Sequence, residues 1–383
     1  MGNISTPQIR FPDFKEEWIN NSLGEIAKFS KGKGISKEDI SETGETECIR
    51  YGELYTTYNE TISTVFSKTN INTSHLVLSE ANDVIIPASG ETEVDIAKAS
   101  CILKSGIALG GDLNIIKTPN NGVFLSYYLN SKKKIDIAKL AQGISVVHLY
   151  AGQLSKLQLK IPSLLEQQKI ASFFTTIDQK ISQLKRKKTL LEKYKNGVMQ
   201  KIFSQEIRFR NDTGQEFPKW EKKKLKDVSE IKYGKDQKGI ACENGKYPIL
   251  GTGGIMGSTN EFLSDKPSVL IGRKGTIDKP IFMDTPFWTV DTLFYTIVIS
   301  NVNPKWLYYN LTKVNWHKYN EASGVPSLST LTINKIPINL PSIREQTRIA
   351  NFLSAIDGKI THTQNQIDKA EVWKKGLMQQ MFC

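Results

Sequence analysis

Cysteine and histidine are scarce in this chain. Among 383 residues there are four cysteines, Cys48, Cys101, Cys242 and Cys383, with no Cys-x-x-Cys pair. That spacing excludes a disulfide framework and a cysteine-built zinc site, and it fits thiols in a reducing cytoplasm. The histidines, His75, His148, His317 and His362, lie far apart, and no His/Cys/carboxylate group has metal-ligand spacing, so no metal is expected. No apolar run is long enough to cross a bilayer. Residues 1–10 are polar and lack the apolar core of a signal peptide. A cytoplasmic location with no membrane partner is the expectation. Two catalytic signatures are missing as well. There is no Gly-x-x-x-x-Gly-Lys-[Ser/Thr] phosphate loop for ATP and no Asp/Asn-Pro-Pro-aromatic segment of amino-methyltransferase type. Neither catalytic residues nor a bound cofactor are therefore expected. Acidic residues are outnumbered, 39 against 51 Lys and Arg, which gives a formal charge of +12 and suits a polyanionic partner such as nucleic acid.

What is present is a long stretch that occurs twice. Residues 162–205 open Pro162-Ser163-Leu164-Leu165-Glu166-Gln167, and residues 341–383 open Pro341-Ser342-Ile343-Arg344-Glu345-Gln346. The offset, 341 − 162 = 179, holds without a gap to Cys383 and pairs Phe173 with Phe352, Ile177-Asp178 with Ile356-Asp357, and Met199-Gln200 with Met378-Gln379. Ser163 with Glu166, and Ser342 with Glu345, have capping-box spacing, in which the hydroxyl caps the first turn and the carboxylate reaches back. Within the first copy Ile170, Ile177, Leu184, Leu191 and Val198 recur every seventh residue, with Phe173 and Tyr194 at the companion position. Ile349, Phe352, Ile356 and Leu377 fall in the same register of the second copy. A seven-residue period predicts a coiled-coil seam, and some forty helical residues make a rod of roughly 60 Å.

The remaining segments, residues 1–161 and 206–340, carry strand and turn signals. Val84-Ile85-Ile86-Pro87 and Leu113-Asn114-Ile115-Ile116 are apolar runs punctuated by Gly110-Gly111 and Asn120-Asn121-Gly122, with a helix predicted around residues 124–129. The second segment echoes the first loosely: Ile207-Arg208-Phe209 with Ile9-Arg10-Phe11, Val269-Leu270-Ile271 with Val84-Ile85-Ile86, Gly275 with Gly90, and Asp291 with Asp112 at the helix offset. The expected fold is mixed α/β (α+β): a head at 1–161, a helix at 162–205, a second head at 206–340 and a second helix at 341–383. Antiparallel pairing of the two helices would give the internal repeat a pseudo-two-fold axis. Two rods that stay alike while two heads diverge suit one scaffold carrying two readers with different targets.

At this point the sequence resembles the specificity subunits of type I restriction-modification systems, over essentially its whole length. The residues that carry the resemblance are Phe217-Pro218-Lys219-Trp220, Tyr247-Pro248-Ile249 leading to Gly253-Gly254-Ile255-Met256-Gly257, and Ile271-Gly272-Arg273-Lys274-Gly275-Thr276-Ile277. Ile336-Pro337-Ile338-Asn339-Leu340-Pro341-Ser342 with Glu345-Gln346 belongs to it too, as does Leu159-Lys160-Ile161-Pro162-Ser163 with Glu166-Gln167. The resemblance implies two target-recognition domains, each reading half of a bipartite double-stranded DNA site, and helices that set the spacer. It implies no catalysis by this chain. Two modification subunits would bind S-adenosylmethionine and methylate adenine, and restriction subunits would use ATP and Mg. Two other classes stay open: a self-sufficient methyltransferase or nuclease with unrecognised motifs, and a helical scaffold that binds protein only.

Several residues are candidates for DNA contact. Lys31 and Lys33 flank a glycine in the first head, and Lys235, Gln237 and Lys238 follow Gly234 in the second. Flexible basic loops supply phosphate contacts, while Gln and Arg read base edges. Arg273, Lys274 and Thr276 form a basic turn after an apolar strand, with Ser89 near the matching place in the first head. For Arg273 a surface ion pair is the competing reading. Gln142 and Ser145, and Ser323 and Ser327, lie in small-residue loops before the strand that leads into each rod. Glu91, Glu93 and Asp95 read as a solvated turn, and residues 251–257 as a tight turn between strands rather than a dinucleotide loop. The run Lys185-Arg186-Lys187-Lys188 is either a solvated helix face or a contact to spacer phosphates.

Overall fold

The computed structural model describes residues 6–143 and 146–383. The chain forms two compact units, one of Met1–Lys185 with Asn365–Cys383 and one of Arg186–Gln364. The division does not follow a head-then-rod order, because each unit takes one head and a part of both long helices.

In the first unit a five-stranded sheet has the order Lys28–Lys31, Leu113–Lys117, Val84–Pro87, Ser100–Ile102, Thr61–Ile62. A four-stranded sheet of Ser67–Thr69, Thr46–Ile49, Ala108–Leu109 and Val77–Leu78 accompanies it. Val84–Pro87 is buried on both faces, which explains its unbroken apolar run. Alternation divides it between two cores. Val84 and Ile86 face the core built on the helix Gly122–Ser131, whereas Ile85 joins Ile49, Leu109, Leu113 and Ile115. That helix matches the prediction at 124–129, starts at the Asn121 side chain, which accepts from the Phe124 N–H at 2.9 Å, and buries Phe124, Tyr127 and Tyr128.

The second unit repeats this plan with fewer strands. Ser229–Tyr233, Leu293–Val298, Ser268–Gly272 and Ile281–Met283 form one sheet, and Gly254–Thr259, Tyr247–Gly251 and Trp288–Thr289 another. Val269 and Ile271 face the core on the helix Pro304–Leu311, and Leu270 faces the other way. Leu113 pairs with Pro87 where Leu293 pairs with Gly272. The heads are therefore equivalent here at an offset of 180, and Asp112 corresponds to Thr292. The expected match of Asp112 with Asp291 is one residue out, because the head loops differ in length from those implied by the helix register.

The long helices run Leu164–Phe203 and Ile343–Gln380. They pack antiparallel: Lys185 meets Glu371 at 2.7 Å and Phe174 stacks on Phe382 in the first unit, and Lys195 meets Asp357 at 2.6 Å in the second. Ile170, Ile177 and Leu184 are buried, as are Ile349 and Ile356, while Phe173, Phe352 and Leu377 are half-buried. Further along the first helix the seam moves. Leu191 and Val198 are half-buried, Tyr194 is exposed, and Met199 and Ile202 are buried instead. A straight helix drifts about 20° per heptad from a strict seven-residue stripe, so after four heptads the neighbouring positions face the core.

The expected capping boxes form only in part. Ser163 and Ser342 accept the N–H of Glu166 and Glu345, each at 3.4 Å. The carboxylates turn to the heads instead. Glu166 takes a two-pronged bond from Arg10, both contacts at 2.8 Å, and Glu345 takes one from Arg208 at 3.2 and 2.8 Å plus the Trp220 indole N–H at 3.0 Å. A bidentate guanidinium outcompetes a local backbone donor for a buried carboxylate. The next residue repeats the theme: Gln167 accepts from the Asn121 N–H and Gln346 from the Asn303 N–H, at 2.9 and 2.8 Å, each at the start of a head helix. About three turns further along each long helix, Tyr127 donates to Asp178, which pairs with Lys374, and Tyr309 donates to Asp357, which pairs with Lys195. Asp357 and Lys374 lie 179 residues after Asp178 and Lys195 respectively (357 − 178 and 374 − 195). Each head is thus fixed to the helices by the same lock.

Candidate nucleic-acid interface

The strands Lys28–Lys31 and Ser229–Tyr233 each run into a glycine that nothing larger can replace. A Cβ on Gly32 would come 2.0 Å from the Gly110 carbonyl, and one on Gly234 2.0 Å from that of Val290. The following amides then bond across: Lys33 to the Leu109 carbonyl at 2.9 Å, Lys235 to that of Thr289 at 2.8 Å. The loop beyond is therefore held at its root and open at its tip.

In the second head this loop lines a cleft of about 860 Å³ with Asp236, Gln237 and Lys238. The hairpin turn at Thr252-Gly253, with Ile255 and Met256, and the segment Val290-Asp291-Thr292 complete the lining. The turn between strands expected at 251–257 is this hairpin. Arg273 reaches the same segment: it donates to the Asp291 carbonyl at 3.0 Å, lies 3.7 Å from the Asp291 carboxylate, and sits 5.5 Å over the Tyr233 ring. Both the ion pair and the exposure needed for a DNA contact are present, since its side chain is 30% exposed. The Lys274 backbone forms an isolated antiparallel β-bridge with Ser327, and the Gly275 N–H donates to the Pro326 carbonyl at 2.9 Å. The structure so brings Arg273, Lys274 and Thr276 beside the loop of Ser323 and Ser327. Lys235, Lys238, Lys274 and Ser323 are exposed.

The first head has an equivalent cleft of about 610 Å³, lined by residues 34–37, Arg50, Tyr51, Gly110, Gly111 and Asp112. Lys31 and Lys33 are exposed, with the Lys31 ammonium 5.8 Å over the Tyr150 ring. Ser89 is a correction: it is buried, and its hydroxyl lies 3.2 Å from His148 Nδ1, because Ser89–Gly90 pairs as a short strand with Val147–His148. Its polar group is spent inside the head. Gln142 exchanges two backbone bonds with His148, at 2.9 and 2.7 Å, and Ser145 lies outside the described residues. Glu93–Ile96 is a short helix capped by Thr92, and among the described residues no His/Cys/Asp/Glu group could hold a metal ion. On the long helices Lys185 and Lys188 pair with Glu371 and Glu192, and Arg186 and Lys187 are exposed.

Sequence reasoning passed over two groups of residues. The lock residues Arg10, Tyr127, Asp178 and Lys374 left a trace only in the echo of Arg10 with Arg208 and in the 179-residue register. Arg50 and Tyr51 follow the strand Thr46–Ile49 and carry no local pattern.

Comparison with known proteins agrees with this architecture. Residues 15–193 and 218–372 match the family model described as the type I restriction modification DNA specificity domain. The type I restriction enzyme MjaVIII specificity subunit of Methanocaldococcus jannaschii is 26% identical over 400 residues, covering 95% of this chain and 91% of that protein. The EcoprrI specificity subunit of Escherichia coli is 30% identical over a shorter stretch, 29% of this chain and 28% of that one. Among solved structures, the S subunit of a type I restriction-modification system from M. genitalium superposes with a TM-score of 0.69 at 18% identity, covering 99% of both chains. A chain from work on complex assembly and conformational transition of the type I R-M system gives 0.55 at 15% identity, covering 94% of this chain and 96% of that one. No helix of the described residues is long and apolar enough to cross a membrane. With two matched family domains, twin head-to-helix locks and two equivalent clefts, the chain belongs to the family of type I restriction-modification specificity subunits.

Proposed function

We propose that each head binds one half of a bipartite double-stranded DNA target and that the paired helices set the unread spacer between the halves. The observation that carries this reading is the contrast between lock and cleft. The lock is the same in both units, Arg to Glu, Tyr to Asp to Lys, whereas the equivalent clefts are lined by different side chains. A repeated scaffold with unlike clefts suits two readers of different sequence. The net charge of +12 supplies the attraction to phosphate that such binding requires. This chain is a non-catalytic recognition component. Two modification subunits carry S-adenosylmethionine and methylate adenine, and restriction subunits bring ATP and Mg; all dock on this scaffold in the cytoplasm.

The test exchanges residues 206–340 for the corresponding head of another specificity subunit. Methylome sequencing of a host carrying the chimera and its modification subunit is expected to show one half-site changed and the other kept. A change in both halves would refute the two-reader assignment. Turnover of labelled S-adenosylmethionine by the purified chain alone would favour the enzyme reading instead.

A further inference from the structure

We infer that Arg50 reads the first half-site, taking a guanine edge in the major groove of duplex DNA, and that it does for the first head what Arg273 does for the second from a different position. This rests on the DNA-recognition reading above. Outside the lock segments each head has a single arginine: between residues 11 and 161 it is Arg50, and between 211 and 340 it is Arg273. Every other basic side chain there, histidines aside, is a lysine. Both arginines lie at the equivalent clefts.

Backbone bonds fix how the positions correspond. The Gly110 N–H donates to the Ile49 carbonyl and the Val290 N–H to that of Leu250, both at 2.9 Å, so Arg50 stands where the second head has Gly251. The Ala88 N–H donates to the Asp112 carbonyl and the Arg273 N–H to that of Thr292, both at 2.8 Å, so Arg273 stands where the first head has Ala88. One guanidinium therefore belongs to each cleft at a different one of two matched places: Arg50 lines the first, and Arg273 lies beside the second, bonded to its lining residue Asp291.

Arg50 is also built to read rather than to tether. Its backbone is pinned: its N–H donates to Glu53 Oε2 at 2.7 Å and its carbonyl accepts from the Glu53 N–H at 3.0 Å. Its side chain is 27% exposed, set into the cleft beside Tyr51. The Nε atom is buried and has no hydrogen-bond partner among the described residues. The nearby Glu53 carboxylate, 4.0 Å away, is beyond bonding distance and already takes the Arg50 amide and the Ser67 hydroxyl. With Nε shut off from solvent, an acceptor from outside meets the exposed remainder of the guanidinium, which lines the cleft. The N7 and O6 atoms of guanine offer two acceptors at the spacing of the arginine fork, whereas a phosphate is served as well by lysine.

The test uses the full chain co-expressed with its modification subunit and a pool of random-sequence duplexes selected on the wild-type complex. Against the selected sequence and its single-base variants, Arg50→Ala is expected to lose discrimination at one G·C pair of the first half, by about 5- to 150-fold. The second half should keep its preference. Arg50→Lys keeps the charge and should lose the same discrimination, because an ammonium cannot form the fork. Weakening equal for all sequences, with a shallower salt dependence and rescue by lysine, would make Arg50 a phosphate contact and overturn the inference. So would unchanged discrimination in a folded Arg50→Ala complex. If the wild-type complex selects no sequence at all, the DNA-recognition reading itself fails, and the inference with it.

Discussion

Replacing Arg208 by alanine tests the lock most directly. The Glu345 side chain is fully buried, and Arg208 supplies two of its three side-chain donors, Trp220 the third. Arg208 also donates to the carbonyls of Phe217 and Pro218, at 3.1 and 2.7 Å, tying the leading segment of the second head to the helix start. Removing one partner of a buried ion pair costs about 3–5 kcal/mol, because the other charge stays buried. The Trp220 N–H and the positive end of the helix remain, which places the expected loss near the lower value, about 3 kcal/mol. The second unit spans 364 − 186 + 1 = 179 residues. For a unit of that size each kcal/mol lowers Tm by about 2–4 °C, so Arg208→Ala should lower its melting step by about 6–12 °C. Calorimetry at neutral pH reads this. Adding Glu345→Gln removes the stranded charge and keeps an acceptor for Trp220, so the double variant should recover more than half of the loss. A fall of less than about 2 °C, or a double variant no more stable than the single one, would mean that Glu345 is not a buried charge dependent on Arg208.

Three further outcomes follow from the same geometry. Leu184→Ala removes a buried seam residue and should cost about 2–5 kcal/mol in urea unfolding; a loss below about 1 kcal/mol would place Leu184 outside the packed seam. Lys374→Met should weaken the loss of stability of the first unit on acidification. Burial pushes the Glu60 carboxyl up, but the charges of Lys374, at 2.9 Å, and Lys98 outweigh it and hold the group below its ordinary value. In the wild type that contribution is present above the ordinary carboxylate range and is lost as pH falls through the lowered value. Without Lys374 only Lys98 and the backbone oppose burial, so the stability that Glu60 contributes above the ordinary carboxylate range should shrink and the fall on acidification should be shallower than in the wild type; equal slopes for both proteins in urea midpoints from about pH 7 to 4 would refute this. Four residues inserted into both long helices, after Lys185 and before its partner Glu371, keep the antiparallel register and add about 6 Å. The methylated site should then keep both halves with a spacer longer by about one or two base pairs; an unchanged spacer in an active complex would show that the helices do not set it.

Much of the fold was legible because its signals are local. Serine caps, apolar periodicity and the 179-residue register located the long helices, and the apolar run at Val84 to Ile86 marked a central strand. The lock was half legible. The echo of Arg10 with Arg208 was visible, but Arg10 bonds to Glu166 across 156 residues, and local spacing assigned that carboxylate to a capping box. A tertiary guanidinium won that competition. The pairing of Asp112 with Asp291 failed for a similar reason: a register read from the helices does not survive a loop of different length. Ser89 was a DNA-contact candidate because it lies near the place that matches the Arg273 turn, and only the pairing of Ser89–Gly90 with Val147–His148 puts it inside. Arg50 carries no pattern at all. Its significance comes from a missing hydrogen bond and from a neighbour in space.

The lock and the cleft differ in what a substitution there costs. A change at Glu345, Arg208 or Asp357 strands a buried or half-buried charge on the scaffold, and the penalty for a buried pair is about 3–5 kcal/mol, a large part of the stability of such a unit. Arg10, Glu166 and Asp178 carry the same penalty in the other unit, so neither copy of the lock can drift alone. A change on a cleft wall touches loops whose roots are already tied by backbone bonds, and surface substitutions of that kind typically stay within about 0.5 kcal/mol. Ala88 and Arg273 occupy matched positions with the same backbone bonds at 2.8 Å, and Arg50 and Gly251 do likewise next to the bonds at 2.9 Å. The two heads thus place their guanidinium at different ones of two matched backbone positions. Separation of a costly lock from an inexpensive wall lets one scaffold carry two clefts with different linings, which is what the proposed reading of two unlike half-sites requires.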